Sequence, residues 1–302
     1  MPAYTPYDGS TKPFTIGLKP LALPGWIEID RHFDAYLAEK KRLYASIPDK
    51  VFVAEEDTRD AQAEVLGLVE DHLLDHHGPD YRRTDGGVER LGSDPTDADA
   101  SPLVRASLLI QEDLIVMRKG EDGWRLAAGS LCFPSSWSLR EKFGRPLQDI
   151  HDPVPDFGPG TRMATLIDRM FDNLQAAQPV ERFNWSIQAN PDLYHPLSEN
   201  QRIDRASARS ARFANEKLAA NAFIRVERQT LRKLPLSRDI LFTIRIYLDP
   251  LEVLARDPDA ARLAGSFAGQ LNALDEAQLD YKGLTADRDR LVAALERIAK
   301  AG

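Results

Sequence analysis

Residues 222–248 read AFIRVERQTLRKLPLSRDILFTIRIYL. The second half alternates: Phe242, Ile244, Ile246 and Leu248 fall on one face, Thr243, Arg245 and Tyr247 on the other. A period of two marks a strand with two unlike faces. Ala222–Leu231 reads as a second strand, with Arg225, Glu227 and Gln229 on one face and Val226, Arg228 and Thr230 on the other. Arg182–Gln188 makes a third. Further upstream, Val104–Lys119 and Trp124–Phe133 are strand-like, joined by Gly120-Glu121-Asp122-Gly123 as a hairpin turn. Helical patterns lie between the pair and the trio, at Ser138–Ile150 and Thr161–Ala177. In the second, Met163, Leu166, Ile167, Met170 and Leu174 share a face.

Two strands, a helical layer and three strands predict an α+β fold around an antiparallel sheet. The order resembles a PAS-type core with a helical crossover layer, flanked by N- and C-terminal helices. Residues 1–102 then form an N-terminal arm and helical extension, 103–250 the core, and 251–302 a C-terminal helical extension packed on it. Within the first segment, residues 1–28 hold five prolines and four aromatics, as an extended arm would. Helices are expected from Asp30 to Pro48 and from Asp57 to His77, stopped by Gly78, and Asp80–Pro102 reads as a loop.

Composition narrows the function classes. The chain has 302 residues, is 43% hydrophobic and carries a net charge of −8. No run of about 18 apolar residues is present, so no membrane span is expected. No basic block points to nucleic acid. The opening MPAYTPYDGSTKPF lacks the features of a signal peptide, and Cys132 is the single cysteine. Both lead to the expectation of a cytoplasmic protein without disulfides.

Six histidines and a charged strand hold the candidate chemistry. His151 ends a predicted helix, followed by Pro153 and Pro155. It reads either as an axial metal or haem ligand, its far nitrogen held by Asp149 or Asp152, or as a helix C-terminal histidine meeting the last carbonyls. His72 and His76 have metal-compatible spacing, but no third ligand accompanies them, and a polar helix end accounts for both. His195 sits in a proline-bracketed loop. Arg225, Arg228 and Glu227 are costly to bury unpaired. They read as a solvated edge or as a polarised pocket wall, which Arg245 and Tyr247 would join if the strands pair. Trp185 reads as a packing residue of its strand. No G-x-G-x-x-G, phosphate loop or G-x-S-x-G motif occurs.

The strings PSSWSLREKFGRPLQDIHDPVP (Pro134–Pro155), RVERQTLRKLP (Arg225–Pro235) and FTIRIYLDPL (Phe242–Leu251) together resemble the haem-dependent oxidative N-demethylase family. FTIGLKPLALPGWIEID (Phe14–Asp30) fits the same family. The resemblance implies a PAS-like chain that binds haem b and oxidises a small secondary amine, dimethylamine, in a monooxygenase-type reaction giving methylamine and formaldehyde. It also implies a multisubunit assembly. Electrons would come from NADPH through partner reductase subunits carrying FMN and a 2Fe–2S cluster, and tetrahydrofolate would take up the one-carbon unit on a partner. By position, the resemblance makes His151 the iron ligand, with His195 second and Cys132 not required. Arg225, Arg228 and Arg245 become candidates to stabilise negative charge on oxygen, with Arg228 and Trp185 bordering the cofactor. Glu227 is the carboxylate for the ammonium, with Trp185 and Tyr247 as aromatic walls. A haem gas sensor without turnover is the alternative.

Overall fold

A computed structural model of the chain describes residues 1–93, 97–213 and 217–302. Its strands are β1 (Lys19–Pro20), β2 (Phe52–Ala54), β3 (Tyr81–Thr84), β4 (Gly87–Arg90), β5 (Asp113–Gly120), β6 (Gly123–Ser130), β7 (Val180–Gln188), β8 (Phe223–Lys233) and β9 (Ile240–Pro250). Seven of them form one sheet in the order β1-β7-β8-β9-β5-β6-β2, while β3 and β4 pair separately. All pairings are antiparallel. With helices before, within and after the sheet, the chain is of the α+β type.

Each face of the sheet has its own cover. One face of β5, β6 and β9 presents Leu114, Val116, Ala128 and Leu241 to Val65, Val69 and Leu73 of the Arg59–His77 helix. On the same side, Trp185 and Val226 of β7 and β8 meet Phe267, Leu271 and Leu295 of the C-terminal helices. The opposite face carries Ile115, Met117, Leu126, Leu231 and Ile244, covered by Leu147, Ile150, Phe157, Ile167 and Phe171 from the connection between β6 and β7. This second interface is incompletely filled and holds the cavity described below.

Register decides what shares that cavity. The β8–β9 pairing sets Arg228 opposite Arg245, Val226 opposite Tyr247, and Glu227 opposite Ile246. Directly paired residues point to the same side of a sheet. Arg245 and Tyr247 therefore stand with Arg228, on the far side from Arg225 and Glu227.

Several local expectations need correction. Residues 80–102 were expected to be a loop, yet β3 and β4 form a hairpin there; residues 94–96 of that stretch lie outside those described. The expected strand from Val104 begins only at Asp113, because Pro102–Ser107 is a helix. Pro102 opens it, and Leu103, Ala106 and Ile110 all bury against the long helix. Ser138–Ile150 is two short helices, Leu139–Lys142 and Leu147–His151, separated by Gly144 at φ +74°. The Glu199–Ala208 helix, opened by a Ser198–Gln201 capping box, was missed in a segment rich in arginine. Among the described residues no helix is long and apolar enough to cross a membrane.

Candidate functional site

Between the sheet and the crossover helices lies a cavity of about 250 Å³. One part is apolar, walled by Ile115, Met117, Leu126, Leu231 and Ile244 from the strands and by Ile150, Val154, Phe157, Ile167 and Phe171 opposite. The other part is cationic. Arg182 and Arg225 come from the strands and Lys142 from a crossover helix, Arg202, Arg205 and Arg212 from the segment after β7, and Lys282 from the C-terminal helices. Glu227 is the one acidic side chain among the described residues that line it.

His151 and His195 both line this cavity. His151 ends the Leu147–His151 helix, its ring edge-on to Phe157 at 6.3 Å. Burial, then Lys142 and Arg182, lowers its pKa to about 3, so the imidazole is neutral near pH 7. Among the described residues no hydrogen bond joins its ring to Asp149 or Asp152. His195 is lowered to about 4 by burial and by Arg225, Arg212 and Arg205. Its carbonyl accepts a 2.9 Å bond from the Ser136 amide. His72 is far away in its helix, where its Nε2 accepts from the Ile27 amide at 3.4 Å. Among the described residues no histidine or carboxylate cluster is arranged to hold a bare metal ion.

Arg225 faces the cavity, but its donors are engaged. Nε donates to Ser135 Oγ at 2.6 Å, Nη1 to Gln188 Oε1 at 3.2 Å and Nη2 to the Phe133 carbonyl at 2.7 Å. It clamps the loop after β6 to the sheet, an arrangement that offsets its burial and leaves little for oxygen. Glu227 is different: its Oε2 accepts from Gln229 Nε2 at 2.5 Å, and Gln229 lines the cavity beside it. One carboxylate oxygen is thereby fixed, leaving the group oriented toward the chamber.

Four expected site residues are not brought to the cavity. Arg228 is held on the far face by Glu181 at 2.9 Å and by the carbonyls of Gly25 and Trp26. Arg245 pairs with Asp30 at 2.8 Å and lies over the Tyr36 ring. Tyr247 donates to Glu28. Trp185 donates to Gln270 at 2.9 Å and packs edge-on against Phe267. These four tie the N-terminal arm and the C-terminal helices to the sheet. Cys132 is buried outside the cavity lining; its amide donates to Asp113 and burial raises its thiol pKa.

Sequence reading also missed Lys142, Arg182, Arg202, Arg205, Arg212 and Lys282. A signal for Arg182 was present in RFNWSIQ (Arg182–Gln188), where Arg182, Asn184, Ser186 and Gln188 alternate with apolar residues. The arginines of 202–212 look like an ordinary solvated face, and their convergence is tertiary.

These residues suit haem. Its iron takes a neutral imidazole, its porphyrin needs apolar walls and its two propionates need cations. His151 would be the ligand, and Ile150, Phe157, Ile167 and the strand aliphatics would contact the ring. Arg202, Arg205 and Arg212 would hold the propionates. Arg205 Nε is buried without a partner. A side chain at Gly283 would lie 2.7 Å from Arg205 Nε and 3.0 Å from Arg212 Nη1, so the two guanidiniums crowd one point. Burial, then Arg212 and Arg202, lowers the Arg205 pKa to about 10. An anion placed there would offset both costs. Residues 17–292 match the model of the family described as haem-dependent oxidative N-demethylase, alpha subunit-like, and the chain belongs to that family.

Proposed function

We propose that this chain is the haem-bearing subunit of an enzyme that oxidatively demethylates a small secondary amine, dimethylamine being the simplest of the class. The observation that carries this reading is His151: a half-buried, neutral imidazole with no hydrogen bond to its ring among the described residues, on an apolar-walled cavity that also presents cations. The strand order β6-β5-β9-β8-β7 with helices between β6 and β7 supports a PAS-like description of the core.

The balanced reaction joins amine, O2, two electrons and two protons to give the demethylated amine, formaldehyde and water. Bound haem would supply the reductive activation of O2. The chain's own residues do the rest. Glu227, oriented by Gln229, accepts a hydrogen bond from the substrate ammonium and can take its proton, exposing the nitrogen lone pair. Apolar walls limit the water around the reacting methyl group. Arg225 acts as the clamp of the Phe133–Ser135 loop, not as an oxygen donor.

On this reading electrons arrive from a separate protein, in keeping with a sequence that carries no flavin, nicotinamide or cysteine-cluster motif. The alpha subunit-like description of the family agrees with a multisubunit enzyme. On this reading a partner reductase carries FMN and a 2Fe–2S cluster and draws on NADPH, while tetrahydrofolate on a partner collects the formaldehyde unit.

The test is the visible spectrum of the purified chain beside His151→Ala. A strong Soret band that shifts or is lost in the variant is expected. An unchanged band would transfer the ligand role to His195, and absence of a band in both would remove the haem reading.

A further inference from the structure

The cavity contains a surplus that neither haem nor a simple amine explains. Among the described residues, seven cationic side chains line it against the single carboxylate of Glu227. Two propionates would pair with the Arg202, Arg205 and Arg212 group. Arg182 and Lys142 remain beside Glu227, close enough for its charge to raise both their pKa values against burial. Arg182 Nη2 donates to the Thr15 carbonyl at 3.1 Å, but its Nε is buried with no partner. A dialkylammonium ion would use Glu227, leave that donor unsatisfied and add positive charge to a chamber already rich in it. Both effects oppose binding.

We propose that the amine taken by this site carries a carboxylate at its other end, as in an N-methylated amino acid. The inference rests on the demethylase reading and names its substrate class. Glu227 accepts from the ammonium, Arg182 donates to the carboxylate, and Lys142 adds a second positive charge on that side. Such a zwitterion brings no net charge into the chamber and supplies both missing partners. Arg182 and Glu227 stand on neighbouring strands, where β7 and β8 pair Arg182 with Gln229 and Asn184 with Glu227. The two side chains are therefore diagonal neighbours on one face, the spacing a short two-headed ligand requires.

Calorimetric titration of the purified chain, with its Soret absorbance recorded, tests this with N-methylglycine and dimethylamine as probes. N-methylglycine is expected to bind at least tenfold more tightly. Arg182→Gln should abolish that preference by weakening N-methylglycine alone, with the Soret band per chain unchanged, and Arg182→Lys should restore part of it. Dimethylamine binding as tightly as N-methylglycine to the unsubstituted chain would overturn the proposal without reference to any variant. Loss of the Soret band in Arg182→Gln would also overturn the assignment, by making Arg182 a propionate partner. Calorimetry reads binding whether or not haem is present. A chain without a Soret band that still prefers N-methylglycine would keep the two-headed site and sink the haem reading alone.

Discussion

Lys40 shows how far a single residue can depart from its sequence context. In LAEKKRLY (Leu37–Tyr44) it looks like part of a solvated basic face, yet it is fully buried. Its Nζ donates to the carbonyls of Ser107, Ile110 and Glu112 and to Ser107 Oγ, with Asp113 3.9 Å away. Asp113 in turn accepts from the Cys132 and Phe133 amides at 2.9 and 2.7 Å. Lys40→Met would strand a buried carboxylate and three carbonyls, costing about 3–5 kcal/mol; urea unfolding at pH 7 measures it. His72 offers a pH test away from the cavity. Burial, then His76, His77 and Arg232, lowers its folded pKa to about 3, against an unfolded value of about 6.5. The unfolded chain takes up the proton first, so this contribution is whole above pH 6.5 and is lost as pH falls toward 3. His72→Phe should reduce the stability loss between pH 7 and pH 5 by on the order of 1 kcal/mol, read from urea unfolding at the two pH values.

At the scale of elements, the cavity depends on how helices end. Gly144 breaks the crossover into two short helices, which lets the second one bring His151 to the cavity. Gly283, at φ +65°, closes the Glu276–Lys282 helix and leaves room for the Arg205 and Arg212 guanidiniums. Gly283→Ala would combine backbone strain with a clash at Arg205. A loss of about 1–2 kcal/mol is expected, together with weaker haem retention, measured by urea unfolding and by haem transfer to an acceptor protein. The periodic elements were legible because successive strand residues face different surroundings and differ in polarity accordingly. In β9 the alternation of Phe242, Ile244 and Ile246 with Thr243 and Arg245 matches its two faces. The helix at Pro102 was not legible, since a short apolar run such as VRASLLI fits strand and helix alike.

At the scale of the molecule, the proposed haem site would link cofactor and fold. A cavity of about 250 Å³ within one of the sheet's interfaces forgoes packing that the cofactor would restore. A ligand that binds only the folded chain stabilises it by mass action, about 4 kcal/mol when free ligand is a thousandfold above its dissociation constant. Extracting haem should therefore lower Tm by several degrees, checked by calorimetry before and after extraction, with recovery on adding haem back.

The sequence by itself determined the α+β class, the two faces of β8 and β9, the placing of His151 at a helix end and the family, because each is written in local periodicity or in short strings. Only the tertiary structure decided which charged residues meet. The β8–β9 register set Arg228, Arg245 and Tyr247 on the far face and left Glu227 at the cavity. The approach of the segment after β7 and of the C-terminal helices then brought Arg202, Arg205, Arg212 and Lys282 toward it. The physical reason is that strand alternation assigns a residue to a face, whereas which faces coincide depends on hairpin register and on contacts between residues far apart in the chain.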